Sequence, residues 1–123
     1  MRNMSFALTT EQVLAGQKTV TRRLGWKTLK DGELFQAIEK GQGLKKGEKV
    51  NRLRVLKAVD VRQMPLNRML QDEAWGKAEC IREGFPNLTP REFVEMFCKA
   101  NRPCEPTWIV TRIEFDYPEV PHA

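Results

Sequence analysis

Between Val50 and Val61 the chain alternates. Leu53, Val55, Val59 and Val61 fall in one row, interrupted by Asn51 and Lys57, while Arg52 and Arg54 share the other with Val50, Leu56 and Ala58. A period of two predicts a long strand with the first row in the core and the two arginines on the opposite face. Ser5 to Leu8 and Leu34 to Glu39 predict shorter strands, and the β-branched run Thr107 to Phe115 a closing one. Helical spacing appears elsewhere. Thr9-Thr10-Glu11-Gln12 has the form of a capping box opening a two-turn helix to Ala15. Pro65 opens a helical region with Leu66, Met69 and Leu70, and a second short helix is predicted from Trp75 to Glu83, stopped by Gly84. Thr89-Pro90-Arg91-Glu92 starts a third helix, with a threonine cap, proline in the first turn and glutamate at N3. On it Phe93, Met96, Phe97 and Ala100 form one apolar stripe, read as core.

Strands that follow one another through hairpins, without regular strand-helix alternation, predict an α+β chain: a small mixed β-barrel with helices covering one opening. The glycine-rich stretch Gly41 to Glu48 is expected to be a hairpin turn. It lacks the Gly-Lys-Ser/Thr ending of a phosphate loop, and its glycines miss the dinucleotide spacing. One domain, residues 1–117, accounts for the predicted elements, with 118–123 as a loose tail.

Charge adds a direction. The 123 residues carry 21 Lys and Arg against 16 Asp and Glu, a net +5 that suits nucleic acid or another polyanion. Three cysteines with no Cys-x-x-Cys pair argue against a disulfide framework and for a reducing cytoplasm. The single histidine, His122, deprives a zinc site of its commonest ligand, so neither metal nor cofactor is expected. No stretch approaches the roughly 18 apolar residues a membrane helix needs, so a soluble, cytoplasmic protein without a membrane partner is expected. The oligomeric state is left open.

The cations concentrate in Leu14-Ala15-Gly16-Gln17-Lys18-Thr19-Val20-Thr21-Arg22-Arg23, where a glycine able to end a helix is followed by β-branched residues that favour an extended backbone. A turn carrying Lys18, Arg22 and Arg23 into a strand is a natural anion site, and equally an ordinary charged sheet edge. Trp26, just beyond, stacks on a base or covers the core. Arg52 and Arg54 extend the basic surface or serve solubility.

The chain resembles the ASCH (ASC-1 homology) domains of the PUA-like superfamily. The likeness is carried by Leu14-Ala15-Gly16-Gln17-Lys18-Thr19 and Thr21-Arg22-Arg23, by the Lys30-Asp31-Gly32-Glu33 turn, and by Glu83-Gly84-Phe85 before Thr89-Pro90-Arg91-Glu92-Phe93. Trp108-Ile109-Val110 completes it. The resemblance implies a β-barrel whose cleft binds RNA or a modified nucleoside. Small bacterial members hydrolyse N4-acetylcytidine to cytidine and acetate, others are ribonucleases or RNA-binding modules, and stand-alone copies occur in phages. In the amidohydrolases a lysine accepts a proton, a threonine three positions on is the nucleophile and a glutamate is the proton donor. Residue by residue these match Lys18, Thr21 and Glu83, with Arg22, Arg23, Trp26, Arg52 and Arg54 as ligand-binding candidates. The alternatives are an RNA-binding module without catalysis, a ribonuclease, and a phage accessory protein that binds a host protein. The chain departs from the amidohydrolases in the two arginines after Thr21 and in a longer insertion from Arg62 to Phe85. In a flat strand positions 18 and 21 point to opposite faces, so convergence of Lys18 and Thr21 requires a turn or bulge between them.

Overall fold

The structure, a computed structural model, describes residues 1–41 and 45–118. The Gln42-Gly43-Leu44 part of the expected hairpin and the tail from Glu119, His122 included, lie outside the described residues. Five strands form one sheet: β1 (Arg2–Ser5), β2 (Val20–Arg23), β3 (Leu34–Ile38), β4 (Arg52–Pro65) and β5 (Ile109–Asp116). Their order is β1-β3-β4-β5-β2, with β1 parallel to β3 and every other pair antiparallel. The fold is α+β and PUA-like, and the sheet curls into a half-barrel with β1 and β2 at its edges. Three helices accompany it: α1 (Thr10–Leu14), α2 (Glu73–Arg82) and α3 (Pro90–Ala100).

Two apolar clusters hold the layers together. Inside the curl, Phe6, Phe35 and Phe115 meet edge to face, with Val13 of α1, Leu56, Ala58 and Ile113 around them. The second cluster joins Val110 of β5 to a 3₁₀ turn at Leu66–Leu70 and to α2 and α3, through Leu66, Met69, Cys80, Phe93 and Phe97. Apolar burial at about 25 cal/mol per Å² is the dominant favourable term in both.

The face assignment on β4 is corrected. The core row is Leu56 and Ala58, both at most 1 % exposed, whereas Val59 is 41 % exposed. Two register shifts break the single parity, one between Gln36 and Ile38 opposite Val55 to Arg52 and one between Ala58 and Asp60, so Leu53 and Val61 of the expected row do pack against the core while Val59 does not. Arg54 shares the inner row and lies over the Tyr117 ring at 4.5 Å. The first strand sits earlier than expected, and its parallel pairing with β3 ends at Ser5, leaving Leu8 67 % exposed in a turn. Thr9 precedes α1 as expected but makes no side-chain cap; Thr10 Oγ1 donates to the Phe6 carbonyl instead, and Gln12 Nε2 reaches the Gly84 carbonyl at 3.0 Å. At α3 the capping box is complete, with Thr89 N donating to Glu92 Oε1 and Glu92 N to Thr89 Oγ1. The cysteines are unpaired, Cys98 and Cys104 sulfurs lying 3.8 Å apart. Among the described residues no helix is long and apolar enough to cross a membrane.

Candidate functional site

Gly16 ends α1 with φ +72°, and the residues after it are tied across the chain: Lys18 N donates to the Gln12 carbonyl and Thr19 N to the Arg82 carbonyl. Strand β2 starts only at Val20. Lys18 therefore lies in a turn, outside the pleat, and the parity that separates positions 18 and 21 in a flat strand does not apply. Tyr117 fixes the turn from the other side by donating to the Lys18 carbonyl at 2.6 Å.

Lys18, Thr21, Arg22 and Glu83 are each no more than 3 % exposed, and all four line one cavity of about 230 Å³. Glu83 arrives from the residue capping the C-terminus of α2. Lys18 Nζ donates to its carboxylate Oε1 at 2.8 Å and to its backbone carbonyl at 2.6 Å. The other oxygen accepts from Arg22 at 3.1 Å. Burial lowers the Lys18 pKa, against the upward pull of the Glu83 charge and hydrogen bond. Thr21 Oγ1 accepts from Arg23 Nε at 3.0 Å, which leaves the Thr21 proton free for another acceptor. Arg23 stands partly exposed with its guanidinium 4.6 Å from the Phe6 ring centre; burial, opposed by Glu83, lowers its pKa to about 10. Phe85, Phe93 and Met96 supply an apolar wall. The α3 stripe read as core is thus core on one side and cavity wall on the other.

Behind the cavity lies a hub that the sequence reading missed. Glu79, fully buried on α2, accepts from Arg22 at 2.6 Å, from Arg82 at 2.9 Å and from Arg112 of β5 at 2.6 and 3.0 Å. It fixes Arg22, whose buried Nε has no partner among the described residues. The signal was the four-residue spacing of Glu79 and Glu83, which puts both carboxylates on one helix face. Trp26, Arg52 and Arg54 are not brought to this cavity. Trp26 packs beside Phe35 with the Arg2 guanidinium over it, and Arg52 is exposed at the start of β4. Among the described residues no group of three or more His, Cys, Asp or Glu could hold a metal ion.

No family model and no curated protein matches the sequence. Solved structures do. An ASCH domain from Lactobacillus crispatus superimposes with a TM-score of 0.56 at 11 % identity, covering 94 % of this chain and 78 % of its own. The fold is that of an ASCH domain. Protein EF3133 of Enterococcus faecalis, from the family DUF984, matches with a TM-score of 0.61 at 16 % identity over 95 % of this chain and 76 % of its own. The hypothetical protein PH0355 gives 0.62 at 19 % identity over 94 % and 95 %. Within this ASCH fold the turn after α1, the end of α2 and the wall of α3 converge on the cavity described above.

Proposed function

We propose that the cavity binds one nucleoside, free or from RNA, and hydrolyses an acyl amide on its base, N4-acetylcytidine being the substrate implied by the resemblance. The observation that carries this reading is the burial of Lys18, Thr21 and Glu83 around one aromatic-walled cavity. Cations that only grip a phosphate backbone belong on an exposed face, whereas here Lys18 and Arg22 point inward. At about 230 Å³ the cavity is below the roughly 300–1,000 Å³ of drug-sized clefts, a scale that suits one nucleoside and excludes a folded strand.

The proton inventory is consistent with the chemistry. One proton crossing the 2.8 Å hydrogen bond converts the ion pair into a Lys18 amine and a Glu83 acid, and burial favours the amine form of Lys18. The amine takes the Thr21 proton as Oγ1 attacks the acetyl carbonyl, the electron pair passes to the carbonyl oxygen, and the Arg23 guanidinium beside Thr21 stabilises that oxyanion. The C–N bond breaks as Glu83 protonates the leaving amine. The pair is then Lys18 ammonium and Glu83 carboxylate, the state its hydrogen bonds describe. Water attacks the acetyl-threonine ester and gives its proton to Glu83, while Lys18 returns a proton to Thr21. Acetic acid leaves, and the amine and the acid are restored.

A second reading, nucleoside or RNA binding without catalysis, is favoured by the two hydrogen bonds that Lys18 Nζ spends on Glu83. Incubation with N4-acetylcytidine separates them. Release of cytidine that disappears in Lys18→Ala and in Thr21→Ala supports hydrolysis. Cytidine binding without turnover supports the second reading, and absence of both removes the cavity as a nucleoside site.

A further inference from the structure

We propose that the ligand is a nucleotide and not a bare nucleoside, with its phosphate held at the cavity mouth by Arg23 and Thr9. This rests on the nucleoside reading above and adds the anionic group. Lys18 and Arg22 have their charges answered by Glu83 and Glu79. Arg23 does not: it gives Nε to Thr21, and among the described residues no carboxylate pairs with it. Its guanidinium is nonetheless fixed, lying over Phe6 while its remaining N–H groups are unspent. A fixed planar fork is the geometry that receives two phosphate oxygens.

Thr9 supplies the complementary donor. It lines the same cavity, is 4 % exposed, and makes no hydrogen bond as a helix cap. The hydroxyl is thus not spent on the helix and can donate to a phosphate oxygen at the mouth. At the cavity itself the surroundings favour an anion as well: of the charged groups lining it, Lys18, Arg22 and Arg23 face Glu83 alone. Burial, only partly offset by the Glu83 charge, lowers the Arg23 pKa, and a bound phosphate pulls it back up. The base then faces Phe85 and Phe93 on the apolar wall.

The test is calorimetric titration with cytidine, cytidine monophosphate and a cytidine trinucleotide at fixed, moderate salt. The monophosphate is expected to bind at least about tenfold tighter than cytidine, the size of one charge-assisted contact worth about 1.4 kcal/mol. In Arg23→Gln that ratio falls to about one, Arg23→Lys restores part of it, and Thr9→Val lowers it several-fold. The phosphate comes from a strand if the trinucleotide binds tighter than the monophosphate, and from a free nucleotide if it binds more weakly. If cytidine binds and the monophosphate binds no tighter, the phosphate site is overturned while the nucleoside reading stands. If neither binds, the nucleoside reading fails and this inference with it. Should Arg23→Gln lose its cooperative unfolding transition, the Thr9→Val ratio decides.

Discussion

Replacing Glu79 by Gln removes one negative charge from a buried site where three arginines meet. Burial pushes the Glu79 carboxyl up, but the hydrogen bonds and charges of Arg112, Arg22 and Arg82 outweigh it and hold the pKa at about 2, against an ordinary 4.5. A carboxylate whose pKa is lower folded than unfolded stabilises the fold above the unfolded value. That contribution is lost as pH falls from about 4.5 to about 2. The interval between the two values corresponds to about 3 kcal/mol at neutral pH. An independent route gives the same size, since removing one partner of a buried ion pair costs about 3–5 kcal/mol by stranding the other. For a chain of 123 residues, with an unfolding entropy of about 2.1 cal/mol/K per residue, the midpoint falls by roughly 12 °C. Urea unfolding of both proteins at pH 7 and pH 3 measures it. Glu79→Gln is expected to be about 3 kcal/mol less stable at pH 7, with the gap narrowing by about 2 kcal/mol at pH 3, where the unfolded chain's carboxyl is protonated while the folded one stays ionised. A gap below about 1 kcal/mol at pH 7, or one that does not change with pH, refutes the hub as the support of Arg22.

Other outcomes follow from the same geometry. A Cβ on buried Gly76 would run into the Met69 carbonyl oxygen and the Pro90 ring, so Gly76→Ala is expected to lose about 1–3 kcal/mol in urea unfolding despite alanine's higher helix propensity. Thr89→Ala breaks the complete capping box of α3 and is expected to cost about 1 kcal/mol, whereas Thr9→Ala, at a cap position that makes no bond, loses no capping energy; equal capping losses would contradict the difference between them. If Lys18 and Glu83, sharing one proton, serve as base and acid, kcat/KM for N4-acetylcytidine falls as that proton is lost, and because burial lowers the Lys18 pKa the alkaline limb lies below pH 10.5. A limb centred at or above 10.5 removes Lys18 from that role.

The outline of the fold was legible where local signals and tertiary packing agree. The α3 start from Thr89, the β-branched closing strand and the left-handed stop at Gly16 are each dictated by residues within a few positions. The inner face of β4 was only partly legible, because register shifts against β3 and against β5 break a period-two pattern and no residue type marks either of them. Nor was the edge of β1, whose limit is set by its parallel partner β3 and not by its own apolar residues. Of the site, Lys18, Thr21, Arg22, Arg23 and Glu83 do line one cavity. Trp26, Arg52 and Arg54 stand elsewhere, since closeness in sequence or a shared charge does not fix a direction in a curled sheet. Arg112 reaches the hub only through the β2–β5 pairing, opposite Arg22, a proximity that spans 90 residues and has no local trace.

Crystals of the protein soaked with cytidine put the convergence of Lys18, Thr21 and Glu83 on one ligand to the most direct test. The expected result is a nucleoside within hydrogen-bonding distance of Lys18 or Thr21, its base against Phe85 and Phe93. A nucleoside bound only beside Trp26, Arg52 or Arg54, or an empty cavity at saturating cytidine, contradicts it.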